Sequence, residues 1–382
     1  MRRTLFEPQH DQFRDSFRRW VKQEIVPHVE EWEAAGIVPR ELFLSAGRHG
    51  FLGLSVPAEY GGAGIGDFRF NVIMQEEFQF AGAHASGAGI TLHNDICLPY
   101  FLRLTNEHQK VRWLPGIVSG ELITAVAMTE PGTGGDLAAI ATTAVHEDAG
   151  YRVNGAKTFI TNGINADLVI TAVRSGTQAG HRAISLVVME RGMPGFERGR
   201  RLAKLGQHAQ DTAELFFNDV PVPVENRLGQ EGAGFKQLME NLAEERLSIA
   251  AASVAAARQC LDWTLAYVST RTAFGRPIGS FQNSRFLLAD LKTQVEVAQA
   301  FFDACLVAHL DGELSAVEAA MAKYWCTEVQ NHVADRCLQL HGGYGYMLEY
   351  PIARAFVDAR ASTIYGGTSE VMKEIIGRSL GL

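Results

Sequence analysis

Two stretches with helical periodicity enclose one with strand texture, and this order of textures restricts the chain to a multidomain α+β architecture. Up to about residue 120, Phe13, Phe17, Trp20, Val21 and Ile25 recur at three- and four-residue spacings and form one apolar stripe. Between about 121 and 230 the chain changes to short β-rich runs, ITAVAM, DLVITAV and ISLVVME. The turn signals Asn154-Gly155, Asn162-Gly163 and Ser175-Gly176 separate strands there, and Pro221 and Pro223 end the block. Beyond Gly234 helical spacing returns. Leu287, Leu291, Val295, Ala298, Phe302 and Cys305 share a face, Asp311-Gly312 ends that helix, and Ser315 with Glu318 fits a capping box for the next. The reading is three domains: helical over 1–120, β over 121–230 and helical over 231–382, a length that can bury a large core.

Charge and composition exclude several classes. The net charge is −8, from 35 basic and 43 acidic side chains, with no long basic run, which argues against a nucleic-acid partner. The start, MRRTLFEPQHDQFRD, meets polar residues at once, so no signal peptide is expected. The longest run of small apolar residues, Ser248 to Ala257, is too short to span a bilayer. The expectation is a cytoplasmic or organelle-matrix protein without membrane insertion. Five cysteines with no CxxC pair suit a reducing compartment. His332, Cys337 and His341 do not repeat a helical face, so no metal site is expected. The glycines of PAEYGGAGIG (Pro57 to Gly66) and GQEGAGF mark loops. Neither gives GxGxxG after a strand, and no P-loop occurs, so a nucleotide cofactor needs another cradle.

Five stretches remain: AMTEPGTGGD (127–136), GAKTFITNG (155–163), RTAFGRPIGSFQ (271–282), LQLHGGYGYMLEYP (338–351) and DARASTIYGGTSE (358–370). Each has an ordinary structural explanation. Pro131-Gly132 makes a sharp turn, Phe159 suits a core, and Thr368 or Ser369 is a good N-cap. Together, in this order and spacing, they resemble the acyl-CoA dehydrogenases, flavoproteins that oxidise an acyl-CoA thioester to its trans-2-enoyl product. The resemblance runs from about Glu7 to the C-terminus.

It implies an N-terminal helical domain, a middle β-barrel-like domain and a C-terminal four-helix bundle, with FAD between the last two. Ala127, Met128, Thr129, Gly134 and Gly135 would cover the isoalloxazine, with Phe159, Ile160 and Thr161 behind it. Gly135 stands where the family usually has serine. Arg271, Phe274 and Gln282 resemble the set that reaches the FAD of a neighbouring subunit, the arginine fork meeting the pyrophosphate. Gln339, Leu340, Gly342 and Gly343, with Thr368, Ser369 and Glu370 at a helix start, complete the implied cofactor contacts. The same resemblance implies a homo-oligomer, usually a dimer of dimers, and electron-transferring flavoprotein as partner.

The reaction takes an α-proton to a base and the β-hydrogen to the flavin as hydride. Most relatives carry the base as a glutamate where this chain has Gly366, whose N–H would still serve the thioester oxygen. In the long-chain and isovaleryl branches the glutamate instead precedes an arginine on a C-terminal-domain helix, which Glu245-Arg246 match. Glu244 is the competitor, a helical step of about 100° away. Two solvated carboxylates remain the plain alternative. The resemblance carries Gly135, Ala243, Arg246, Gly366 and Gly367 as substrate-lining positions. It leaves long-chain, branched and steroid-side-chain thioesters open. It also leaves two other readings: an acyl-CoA oxidase, and a catalytically silent acyl-CoA or flavin-binding subunit.

Overall fold

The computed structural model describes residues 3–148, 150–175 and 180–381. The first region holds helices α1 (Pro8–Glu24), α2 (Val29–Ala35), α3 (Glu41–Arg48), α4 (Arg69–Phe80), α5 (His84–Thr91), α6 (Leu98–Leu104) and α7 (Glu107–Ser119). The apolar stripe of α1 is buried at Phe17, Trp20 and Val21, where Phe17 meets Phe51 and Phe78 edge-on at 4.9 and 5.1 Å. Polar groups then orient α4: Arg14 pairs with Glu76 at 2.7 Å, Arg18 pairs with Glu77 at 2.7 Å, and Arg3 bridges Glu76 to Asp303.

Between α5 and α6 the helix does not break at Pro99. It continues through a π turn, Leu92–Cys97. Proline has no N–H for an i−4 bond and its ring would strike the carbonyl of Asp95; the wider turn relieves both.

The middle region holds strands β1 (Thr124–Ala127), β2 (Thr143–Glu147), β3 (Gly150–Thr161), β4 (Leu168–Ser175), β5 (Ile184–Glu190), β6 (Phe196–Arg201), β7 (Thr212–Pro223) and β8 (Arg227–Leu228). They form one mixed sheet in the order β6-β7-β3-β2-β4-β5-β8, with β1 also on β4. β1 and β2 lie parallel to β4 along one edge of it, whereas its other neighbour β5 is antiparallel. Asn154-Gly155 is not a turn: it lies inside β3, where the pairing with β7 shifts register between Val153 and Gly155. A bulge with Gly155 at φ +148° absorbs the irregularity that would otherwise end the strand. Asn162-Gly163 does turn the chain after β3; Ser175 ends β4, and Gly176 lies outside the described residues.

Helices then return: α8 (Gly234–Thr270), α9 (Gln282–Leu310), α10 (Ala316–His341), α11 (Pro351–Ala359) and α12 (Ser369–Ser379), with a small hairpin of β9 (Thr272–Ala273) and β10 (Arg276–Pro277) after α8. The expected capping box at Ser315 and Glu318 is present. The small-residue run from Ala250 to Ala257 is buried throughout, so helices can approach α8 closely from several sides. Its neighbours in this core include Val72 of α4, Leu291 and Val295 of α9, and Cys326 and Val329 of α10. The helix carrying Glu245 is thereby held by both helical regions. Among the described residues no helix is long and apolar enough to cross a membrane.

Candidate active site

The two neighbouring glutamates of α8 have different surroundings. Glu245 is 5 % exposed, and Tyr100 of α6 donates its hydroxyl to Oε1 at 2.9 Å. Burial pushes this carboxyl up to about 7, against the Tyr100 hydrogen bond and the Arg246 charge, which both favour ionisation; Glu244 adds a smaller upward push. Glu244 points instead to the rim, where Arg103 donates to it at 2.5 Å. The helical offset separates them: one carboxylate enters the interior and the other joins a solvated ion pair.

Beside Glu245, the buried Arg246 donates through Nε to the Gly366 carbonyl at 3.5 Å, and Lys323 of α10 donates to the Gly367 carbonyl at 2.7 Å. Burial, with Arg246 nearby, lowers Lys323 to about 8. Gly366 and Gly367 have φ of +66° and +96°, a left-handed turn that side chains resist. A Cβ on Gly366 would meet the end of Ile249, one turn along α8 from Glu245. Thus the turn where most relatives carry their glutamate lies against the helical segment that carries Glu245 in this chain. Ala243 is half-buried on the preceding turn. Thr368 caps α12, accepting from Val371 N–H at 3.3 Å, and Ser369 donates to Glu328 at 2.7 Å; Glu370 is exposed. Both the N-cap role and the helix-start position read from sequence are present.

The loop after β1 approaches the start of α12 from the middle region. Thr158 N–H donates to Thr129 O at 2.9 Å, and the buried Lys157 donates to Met128 O at 3.0 Å and to Glu130 at 2.8 Å. Ala127 is in the sheet core. Gly134 has nothing within 4 Å of a built Cβ, and Gly135 has only Val371 of α12, at 3.4 Å. The loop therefore reaches the start of α12 with room to spare. Gly135→Ser should fold and melt like the parent in a thermal denaturation, because the added hydroxymethyl enters ordinary van der Waals space.

A second register shift between Lys157 and Ile160 turns this end of β3 over. Lys157 and Ile160 face the core, whereas Phe159, at φ +60°, stands 67 % exposed. Phe159 is thus not the core aromatic that its type alone suggests, and the side chain of Ile160 is buried in the sheet core. Thr161 accepts at 2.6 Å from Gln210. Gln207 N–H in turn donates to Asp358, tying this corner of the sheet to α11.

Arg271, Gln339, Leu340, Gly342 and Gly343 come together. With Tyr267, Ile278, His341, Tyr344 and Met347 they line a cavity of about 490 Å³ where α8 and α10 end, and the Arg271 guanidinium lies 5.6 Å over the Tyr344 ring. Phe274 and Gln282 are apart from it. Phe274 tips the small hairpin at φ +50°, 96 % exposed, and Gln282 opens α9 at the surface. His341 stacks on Tyr267 at 4.3 Å and bonds through Nδ1 to Cys337 O, while His332 is exposed.

Most of the sequence matches three domain descriptions: "Acyl-CoA dehydrogenase, N-terminal domain" over residues 7–121, the middle domain over 125–220 and the C-terminal domain over 232–381. The chain belongs to the acyl-CoA dehydrogenase family. It is an oxidoreductase acting on the CH–CH group of acyl-CoA. The mitochondrial long-chain specific acyl-CoA dehydrogenase of Sus scrofa is 46 % identical over 380 residues, 99 % of this chain and 88 % of that protein. The mitochondrial isovaleryl-CoA dehydrogenase of Oryza sativa subsp. japonica is 35 % identical over 378 residues, 98 % of this chain and 92 % of that protein. The crystal structure of an acyl-CoA dehydrogenase from Geobacillus kaustophilus superposes with a TM-score of 0.97 at 49 % identity, covering 99 % of this chain and 100 % of that one. A glutaryl-CoA dehydrogenase from Mycobacterium smegmatis in complex with FADH2 gives 0.91 at 25 % identity, covering 98 % and 95 %.

Sequence reasoning on this acyl-CoA dehydrogenase missed Tyr100, Lys157, Gln210 and Lys323. Lys157 lies in a motif already singled out, and a lysine between apolar neighbours in a strand was the available signal. Tyr100 had none, since its role depends on a helix 145 residues away.

Proposed function

We infer that this enzyme dehydrogenates long-chain or branched acyl-CoA thioesters to trans-2-enoyl-CoA with FAD as cofactor and Glu245 as base. The observation that carries the reading is the buried Glu245 carboxylate, hydrogen-bonded to Tyr100 and adjoining the Gly366 turn. A carboxyl held at about 7 is ionised often enough near neutrality to accept a proton and basic enough to take one from a weakly acidic α-carbon. The long-chain and isovaleryl enzymes among its relatives favour those two substrate classes.

The residues fit the cofactor. The spacious Gly134-Gly135 loop and the outward Phe159 make a surface on which a planar ring can lie, and the Arg271 cavity offers a cation beside glycines that allow close backbone approach. Met128, Thr129 and Thr161, with Thr368, Ser369 and Glu370 at the start of α12, would hold its remaining polar groups. Bound FAD supplies the hydride acceptor. The chain does the rest: Glu245 takes the α-proton, Gly366 offers its N–H to the thioester oxygen, and Arg246 and Lys323 steady the turn through its carbonyls. Gly135, Ala243 and Gly367 line the thioester.

Phe274, fully outside its own subunit, suits insertion beside the cofactor of a second copy, which supports a homo-oligomer, a tetramer as a dimer of dimers. Electrons would pass to electron-transferring flavoprotein. The test is anaerobic flavin bleaching by short, medium, long and branched acyl-CoAs. Bleaching by the long or branched members is expected; bleaching confined to short chains contradicts the substrate class. Slow reoxidation in air is the result expected of a dehydrogenase.

A further inference from the structure

We propose that Tyr100 is a positioning residue that holds Glu245 in its ionised, proton-accepting orientation, and that a polar ladder between two helices sets its place. The proposal rests on Glu245 being the base. Three rungs join the bulged helix 84–104 to α8. Ser248 donates to Asp95 at 2.5 Å, Tyr100 donates to Glu245 at 2.9 Å, and Arg103 donates to Asn241 at 2.6 Å and to Glu244 at 2.5 Å. Successive contacts advance along one helix and retreat along the other, so the ladder fixes their register, with Glu245 on the middle rung.

The outer rungs hold the frame. Asp95 also accepts from Asn71 at 2.7 Å and from Gln75 at 3.0 Å, so α4 anchors the π turn to α8. From there the chain reaches Tyr100 past Pro99, whose missing N–H makes the wider turn necessary. Tyr100 is fully buried, and its hydroxyl makes a polar contact to the Glu245 side chain from another helix.

The other titratable or charged groups that act on Glu245 are Glu244 and Arg246 on α8 and Cys97 on the π turn; Arg103 on α6 lies near Tyr100 and pairs with Glu244. Lys323 on α10 lies beyond Arg246. Arg246 directs its Nε to Gly366 O and acts on Glu245 through its charge, while Tyr100 donates the hydrogen bond that favours carboxylate over carboxylic acid. A long-chain thioester must keep its α-carbon in line with this oxygen, and a fixed phenol limits the carboxylate rotamers that can meet it.

The test compares the pH dependence of kcat/KM for acyl-CoA oxidation in the parent holoenzyme, Tyr100→Phe, a protein with 3-fluorotyrosine at position 100, and Glu245→Gln. The expected result is an acid limb moved upward by about one pH unit in Tyr100→Phe, the scale of one hydrogen bond to a charged group. In the fluorinated protein, whose phenol is the stronger donor, it moves downward. KM well above the limb stays unchanged, and Glu245→Gln loses about 10²- to 10⁴-fold in rate. The fluorinated protein carries the test if Tyr100→Phe does not fold. An unmoved limb in the folded variants, with Glu245→Gln slowed as expected, overturns the proposal and leaves the base assignment standing. Normal turnover by Glu245→Gln overturns both.

Discussion

Glu245→Gln should lower substrate-dependent flavin reduction by about 10²- to 10⁴-fold, the scale of a positioned general base, while leaving flavin content unchanged. The amide keeps the size of the side chain and can still accept from Tyr100, so the loss reports proton transfer rather than collapse of the site. Stopped-flow absorbance of the oxidised flavin under anaerobic conditions measures it. Glu244→Gln is the control: its partner is the half-exposed Arg103, and the rate should change little. Loss of bleaching in Glu244→Gln with retention in Glu245→Gln would reverse the assignment. The parent's pH profile carries the same information. Proton abstraction needs the carboxylate, and with Glu245 held at about 7 the rate should fall as pH drops through that value and level off above it.

Lys157→Met should destabilise the middle region by about 3 kcal/mol or more, the scale of breaking a buried ion pair from one side. The ammonium is fully buried, donating to Met128 O at 3.0 Å and Glu130 at 2.8 Å. Glu130 also accepts from the backbone of Ala141 and Thr142, and those bonds do not neutralise its charge. The prediction is a lower melting transition by circular dichroism and loss of flavin on gel filtration, because the Met128–Gly135 loop loses its anchor. Adding Glu130→Gln to Lys157→Met should recover part of the stability, since no uncompensated charge then remains. A single variant melting with the parent would show that the pair is not what holds the loop.

Much of the architecture is legible in short windows. The stripe of α1, the capping box at Ser315 and the end of α9 at Asp311 each depend on neighbours within a few residues, so sequence and structure agree there. Asn154-Gly155 is equally local as a turn signal and misleads, because pairing of β3 with β7 continues across it once a bulge takes up the extra residue. The same strand pairing decides the orientation of Lys157 and Phe159. Alternation predicts that one faces in and the other follows the same side, but a register shift lies between them and puts the aromatic outside.

The order of helical and β regions, the family and the pair of adjacent glutamates that includes the candidate base are legible along the chain, for all of these reside in composition, periodicity and contiguous motifs. Tertiary structure alone decided which glutamate is buried. The 100° between Glu244 and Glu245 is a property of any helix; that the second one faces inward follows from α6 and its π turn packing on α8, bringing Tyr100 to one carboxylate and Arg103 to the other. It also gathered Arg271 and the Gln339–Gly343 stretch around one cavity, because α10 runs back to the end of α8. Burial depends on which surfaces meet, and those surfaces come from segments more than a hundred residues apart.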